Sequence, residues 1–380
     1  MKLPVFEKYI EELLEKSTLD IPAWNIENAR TGQKAGWNYV DGCMVLALLE
    51  IFQAAGGEKY YHFADAFIDH RVMDDGSIAG YQVEEYNIDH INAGKTLFAL
   101  YEINGKDKYK KAIELIYSQV QTQPRTAEGN FWHKQIYPNQ VWLDGMYMVQ
   151  PFYMEYETVF NDKKNYDDIF SQFANVVNHM RDSVTGLYYH GYDASREVFW
   201  CDKETGLSRH FWLRAIGWYA MALLDTLYKC DASVSHMAEY ENLKRVFVSL
   251  MDDMLKYQDE SGMWYQLPAL KGQEHNYPET SGSAIMAYSL LKGVRLGFLS
   301  ESYREYGKKA FQGICSRYLT EKDGHLSLGG ICLVAGLGPA DNRRRDGSYA
   351  YYMSEPIVED DAKGVGPLLL AYAELRRLKD

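Results

Sequence analysis

Trp142-Leu143-Asp144-Gly145 runs directly into Met146-Tyr147-Met148-Val149-Gln150-Pro151-Phe152-Tyr153-Met154-Glu155-Tyr156-Glu157. An aromatic residue, an acid and a glycine lead into a segment that is apolar nearly all round. The same arrangement recurs along the chain. Trp37-Asn38-Tyr39-Val40-Asp41-Gly42 leads into MVLALLEIF, and Tyr86-Asn87-Ile88-Asp89 with Gly94 into KTLFALYEI. Arg214-Ala215-Ile216-Gly217-Trp218 leads into YAMALLDTL, and Glu279-Thr280-Ser281-Gly282-Ser283 into AIMAYSLLKGV. Lys363-Gly364-Val365-Gly366-Pro367 leads into LLLAYAELRRL. Segments apolar on every side are expected to be buried helices.

Between these six lie charged stretches with one apolar stripe, the pattern of helices half in water. They run from Glu58 to about His70, Lys106 to about Val120, Asn165 to about Met180, Glu239 to about Gln258 and Ser302 to about Tyr318, and the sixth is Phe6 to Glu15. Six buried helices alternating with six amphipathic ones predict an all-α fold, an (α/α)6 barrel with an inner and an outer ring. No linker or low-complexity tract interrupts it, so residues 1–380 are read as one catalytic domain. Every repeat starts its inner helix with glycine and polar residues, so the inner N-termini, with their unpaired N–H groups, gather at one end. A short strand is expected at that end, over Leu187 to Tyr192.

Composition narrows the function. The formal net charge is −13, so no positive footprint for phosphates is on offer and no nucleic-acid partner is expected. No window approaches the length of uncharged apolar chain that spans a bilayer, so no membrane partner is expected either. The first residues are amphipathic and charged, without an apolar leader, and a cytoplasmic location is expected. The five cysteines are scattered and form no C-x-x-C pair, which fits free thiols in a reducing compartment. The histidines show no metal-ligand spacing, so neither a metal nor another cofactor is expected. The 31 tyrosines and 8 tryptophans offer apolar faces with polar edges, which suit sugar rings.

Asp144 is the leading candidate for chemistry. Its ordinary role at this position is to cap the helix, yet apolar neighbours on both sides favour a protonated carboxyl, which in a sugar-sized cleft is a general acid. Asp89 stands at the same phase of the preceding repeat, and two carboxylates at one barrel end suggest glycoside chemistry. Asp41 reads as a cap. His190, in Tyr188-Tyr189-His190-Gly191-Tyr192, lies in an aromatic loop, and His133 and Lys134 precede the Asp144 segment. Arg214, between Trp212 and Trp218, offers a fork of donors for a carboxylate. Arg343-Arg344-Arg345-Asp346 reads as a solvated loop.

Taken together, these residues resemble glycoside hydrolase family 105, the unsaturated rhamnogalacturonyl hydrolases. The resemblance covers nearly the whole chain. It rests on Trp37-Asn38-Tyr39, Asp89, Phe131-Trp132-His133-Lys134, the run from Tyr137 to Gly145, and Tyr189-His190-Gly191-Tyr192. It continues through Trp212 to Trp218, Glu279 to Ala284, Val334 to Gly338, Arg345 to Tyr349, Ser354 to Val358 and Lys363 to Gly366. The family has an (α/α)6 barrel. The resemblance implies Asp144 as general acid and Asp89 as the second active-site carboxylate. It implies a sugar pocket lined by Tyr39, Lys134, Trp142, His190, Trp212, Arg214 and Trp218. Ala215-Ile216 departs from the Gly-Asn of many members, which bears on the substrate more than on the chemistry. The implied substrate is a small acidic oligosaccharide carrying a terminal 4,5-unsaturated uronic acid, galacturonyl or glucuronyl in type. The C4=C5 vinyl ether is hydrated and the sugar lost. An ordinary barrel glycosidase acting on saturated glycosides and a non-catalytic sugar-binding protein are the rival readings. The sequence sets neither the neighbouring sugar nor the oligomeric state.

Overall fold

The computed structural model describes residues 3–234 and 237–378. Its helices are α1 (Leu3–Glu15), α2 (Ile26–Thr31), α3 (Tyr39–Ala55), α4 (Glu58–Asp69), α5 (Lys95–Asn104), α6 (Asp107–Thr122), α7 (Leu143–Val159), α8 (Tyr166–Met180), α9 (Leu213–Lys229), α10 (Ala238–Leu255), α11 (Thr280–Arg295), α12 (Tyr303–Tyr318), α13 (Tyr349–Ser354) and α14 (Ala362–Arg377). Helices α3, α5, α7, α9, α11 and α14 form the inner ring, each packed on the next, with α14 closing the circle between α11 and α3. Helices α1, α4, α6, α8, α10 and α12 wrap the outside.

Burial follows the patterning. In α1 the buried residues are Phe6, Tyr9, Ile10 and Leu13, a stripe at helical spacing. In α9 every residue from Leu213 to Leu227 is buried, as is every residue of α11 from Thr280 to Val294. The inner helices approach closely: a methyl group on Gly42 would sit 2.7 Å from the Ala93 backbone. The second inner helix differs from expectation. It opens as a 3-10 turn over Ile88–Gly94 and becomes α-helical only at Lys95. Asp89 therefore lies inside the first turn rather than in the loop before it.

Strands are few and short. β1 (Gln140–Trp142) pairs antiparallel with β2 (Gly191–Asp193), so the strand expected from Leu187 forms later, at Gly191. β3 (Leu319–Lys322) pairs with β4 (His325–Leu328), and β5 (Ile331–Cys332) with β6 (Ile357–Val358).

The loops leading into the inner helices are bonded to one another around the mouth. Asn87 bridges Lys134, β1 pairs with β2, and the His190 N–H donates to the His210 carbonyl. Leu213 then bonds to Gln266, Glu279 to Trp264, Thr280 to Gly330, Leu333 to Pro356 and Ala362 to Trp24. Trp37 Nε1 donates to the His90 carbonyl (2.8 Å) and brings the circle back to its start. These backbone bonds let the irregular segments satisfy their polar groups while buried.

Among the described residues, no helix is long and apolar enough to cross a membrane.

Candidate active site

Two of those backbone pairings bring the sequence-predicted carboxylates together at one corner of the mouth. The segment 86–88 pairs with 133–135, which puts the Asp89 side chain against His133 and Lys134. Lys134 Nζ lies 2.6 Å from Asp89 Oδ2, and His133 Nε2 lies 3.4 Å from Oδ1. The β1–β2 pair places Trp142 opposite Gly191, and the Leu143 N–H donates to the His190 carbonyl (3.1 Å). Asp144, one residue on, brings Oδ2 to 3.2 Å from His190 Nε2. That approach lies off the N–H axis, so each atom is buried without a well-aligned hydrogen bond. The other imidazole nitrogen shares a 2.8 Å hydrogen bond with the Tyr352 hydroxyl.

The two carboxylates are thus held differently. Asp144 does not cap its helix: the N-cap of α7 is Trp142, and no side chain caps the turn. Its carboxyl faces an imidazole, and among the described residues no lysine or arginine lies within ion-pair distance of it. Asp89 is bound to an ammonium. Burial alone would raise its pKa, but Lys134, then His133, more than offset this and hold it below the ordinary carboxylate range. Burial in turn lowers the Lys134 pKa, but Asp89 outweighs that and keeps the amine charged. For His133 burial outweighs the opposing pull of Asp89. Burial brings it down to about 4, so it is neutral at pH 7.

Aromatic rings fix these groups. Trp142 stacks on His133 (ring centroids 4.4 Å apart) and on Tyr137 (4.8 Å). Trp212 lies 4.8 Å from His190. Gly145 lets His133 in: a methyl group there would sit 2.7 Å from His133 Nδ1 and 2.6 Å from Ile88 Cδ1.

The other residues named from the sequence fall into two groups. Tyr39 begins α3 at the mouth. Its hydroxyl pKa is raised well above the ordinary value, by burial first and then by the Asp89 charge, so it faces the same corner. Arg214 and Trp218 sit deeper than expected. The Arg214 guanidinium lies over the Trp212 ring (4.6 Å), but its donors go to Ser281 Oγ and to the Cys332 and Leu333 carbonyls. It ties down the β5 loop instead of standing as an open fork. Trp218 is buried and stacked on Tyr147 (5.0 Å) beneath the floor. Asp41 is no cap either. Asn38 caps α3, and the buried Asp41 carboxylate accepts from Trp24 Nε1, Asn25 Nδ2 and Asn38 Nδ2.

Two residues at the site carry no clear signal in the sequence. Tyr352 comes from an aromatic run, Tyr349-Ala350-Tyr351-Tyr352, whose role depends on α13 folding over His190. Arg345 belongs to the charge run read as solvated loop, but it is half-buried against Gly336.

An (α/α)6 barrel with two carboxylates among aromatic rings at its mouth has the build of a glycoside hydrolase. The family model described as Glycosyl Hydrolase Family 88 matches residues 9–379. A solved glycoside hydrolase from family 105 of C. acetobutylicum is 41% identical, with a TM-score of 0.89 over 99% of this chain and 99% of that one. The chain belongs to this group of hydrolases, families 88 and 105, and within it to family 105. The unsaturated rhamnogalacturonyl hydrolase YesR of Bacillus subtilis is 25% identical over 297 residues, 77% of this chain and 78% of its own. The unsaturated glucuronyl hydrolase of Bacillus sp. GL1 is 14% identical, with a TM-score of 0.63 over 90% of this chain and 86% of that one, and shares the fold.

Proposed function

We propose that this enzyme removes a terminal 4,5-unsaturated uronic acid from small acidic oligosaccharides, with Asp144 as the general acid. The observation that carries the reading is the unequal pairing of the two carboxylates. Asp89 is bound to Lys134 at 2.6 Å and held ionised, whereas Asp144 meets only an imidazole.

Asp144 delivers its proton to C4 of the vinyl ether. Positive charge develops on C5 and the ring oxygen, close to the Asp89 carboxylate, which opposes it. Water adds at C5 and gives its proton to the Asp144 carboxylate, so the acid is regenerated. The product is a hemiketal, which opens and expels the rest of the oligosaccharide as an alcohol. The anomeric carbon is not attacked, and the chemistry requires no cofactor. His190 orients Asp144, and Tyr39, Lys134, Trp142 and Trp212 shape the pocket. Arg214 and Trp218 act from beneath by holding the β5 loop and the floor.

The name of YesR, an unsaturated rhamnogalacturonyl hydrolase, supports an unsaturated uronide as substrate, of the kind released from pectin. Cys43, Cys201, Cys230 and Cys332 are free and buried, which supports a reducing compartment, the cytoplasm. The barrel helices run from Leu3 to Arg377, and we take the whole chain as one catalytic unit.

The test is ultraviolet absorbance during incubation with unsaturated galacturonyl and glucuronyl disaccharides prepared by lyase digestion. The conjugated double bond absorbs and its hydration abolishes the signal. Loss of absorbance that depends on Asp144 is expected. No loss on any unsaturated substrate, together with sugar release from saturated glycosides, would make this an ordinary glycosidase.

A further inference from the structure

The run Arg343-Arg344-Arg345 splits into three different environments. Arg344 pairs with the buried carboxylate of Glu355 (2.8 Å). Arg343 is exposed, its guanidinium 5.7 Å from the Phe199 ring. Arg345 is half-buried and fixed by the backbone: its Nε donates to the Gly336 carbonyl (2.9 Å), and the Tyr351 hydroxyl donates to the same oxygen (2.7 Å). Among the described residues Arg345 forms no ion pair.

Its position is set by a glycine. A methyl group on Gly336 would sit 1.9 Å from Arg345 Nη2 and 3.2 Å from Trp142 Cζ3. The guanidinium therefore lies against bare backbone, beside the Trp142 ring. Arg345 is also close enough to Lys134 to oppose its protonation. Lys134 is in contact with Asp89, whereas among the described residues no carboxylate lies within ion-pair distance of Arg345, and Glu355, already paired with Arg344, acts on it only from farther off. Around it stands a second apolar cluster, separate from the main core. It consists of Tyr137, Trp142, Trp200, Cys201 and Leu337, with Val198 and Phe199 packed on its edge.

A partly desolvated cation with no carboxylate in direct contact gains from a ligand that supplies one. In a chain of net charge −13, many carboxylates were open to pair with it. Lys134 thus has Asp89 in contact and the Arg345 charge farther off. We propose that Arg345 binds a second anionic group of the substrate, carried by the sugar next to the unsaturated uronic acid. A guanidinium whose Nε is already anchored keeps terminal N–H donors for a carboxylate or a sulfate ester. Trp142 and Phe199 provide apolar surface beside it for the ring that bears the group. This inference rests on the site being an unsaturated uronyl hydrolase, and it deepens that reading by naming an acidic neighbouring sugar.

The experiment compares three unsaturated disaccharides by loss of absorbance. One has a neutral rhamnose neighbour, one a galacturonate and one a sulfated hexosamine. Wild type is measured beside Arg345→Gln and Gly336→Ala, the second of which displaces the guanidinium without removing it. Both variants are expected to lose ~10-fold or more in kcat/KM on a charged-neighbour substrate relative to the neutral one, mostly through KM. The better charged substrate identifies the group as carboxylate or sulfate. Equal losses on all three, or no selective loss in either variant, overturn the proposal. Wild-type inactivity on all three overturns the proposed function itself, a distinct result.

Discussion

Asp144 and Asp89 stand at matching places in successive repeats, yet they have different neighbours. Lys134 reaches Asp89 because segment 133–135 pairs with segment 86–88, and among the described residues no lysine or arginine lies within ion-pair distance of Asp144. Asp144→Asn is expected to lower kcat by ~10²–10⁴-fold or more, with an unchanged circular dichroism spectrum. Near-normal turnover in that variant would dismiss Asp144 as the acid. Tyr352 acts through His190, whose Nδ1 it occupies at 2.8 Å. Tyr352→Phe frees that nitrogen, so the imidazole facing Asp144 loses its fixed tautomer. A drop in kcat of about tenfold is expected, with KM little changed and a displaced limb in the kcat–pH profile. A fall in activity with an unmoved profile would reduce Tyr352 to packing. His133 makes a prediction about stability. Its folded pKa of about 4 lies below the ordinary value of 6.5, so between these pH values the unfolded chain binds the extra proton. Its contribution is full above about pH 6.5 and is lost as the pH falls toward 4, roughly 3 kcal/mol at most. Thermal melts of His133→Asn should show a flatter pH dependence over that window than wild type.

At the scale of the element, the decisive feature is the start of each inner helix. The glycines were readable as a repeat, and the burial of α9 and α11 follows directly from segments apolar on every side. The opening of the second inner helix was not readable. Its 3-10 turn depends on Asn87 accepting from the Asp89 N–H and on contact with α3 and α7. Asp144 carries the same lesson. Residue preference favours a cap, but the extended backbone of β1 makes Trp142 the N-cap and frees the acid. Gly145 connects helix packing to chemistry. Gly145→Ala would push its methyl group into His133 and Ile88, with an expected cost of about 1–3 kcal/mol in a urea melt. Activity should fall with it, because His133 must move from between Asp89 and Trp142. Full activity in this variant would mean that the position of His133 does not matter.

For the whole molecule, closure of the ring is what matters. The last helix, α14, lies between α11 and the first inner helix, α3. Arg377 pairs with Glu50 of α3 (2.5 Å), Arg295 of α11 pairs with Glu374 (2.5 Å), and the Ala362 N–H donates to the Trp24 carbonyl. A chain ended at Asp361 would expose the buried faces of both neighbours. It is expected to lose its cooperative thermal transition, and a sharp melt in calorimetry would show that the ring tolerates a gap.

By itself the sequence determined the twelve helices of the two rings and their alternation, but not the short helices α2 and α13. Those follow from local periodicity and from the glycine and acid that begin each repeat, all contained within a few turns of chain. Only the tertiary structure decided what each polar residue at the mouth does. Asp89 met Lys134 and Asp144 met His190 through short backbone pairings between distant loops. Arg214 was drawn to the carbonyls of the β5 loop, and Arg345 was set against Gly336. Most of these partners are far apart in the chain, Arg214 and Cys332 by 118 residues, and no local pattern encodes which of several nearby charges and carbonyls a side chain will reach once the loops close around the barrel.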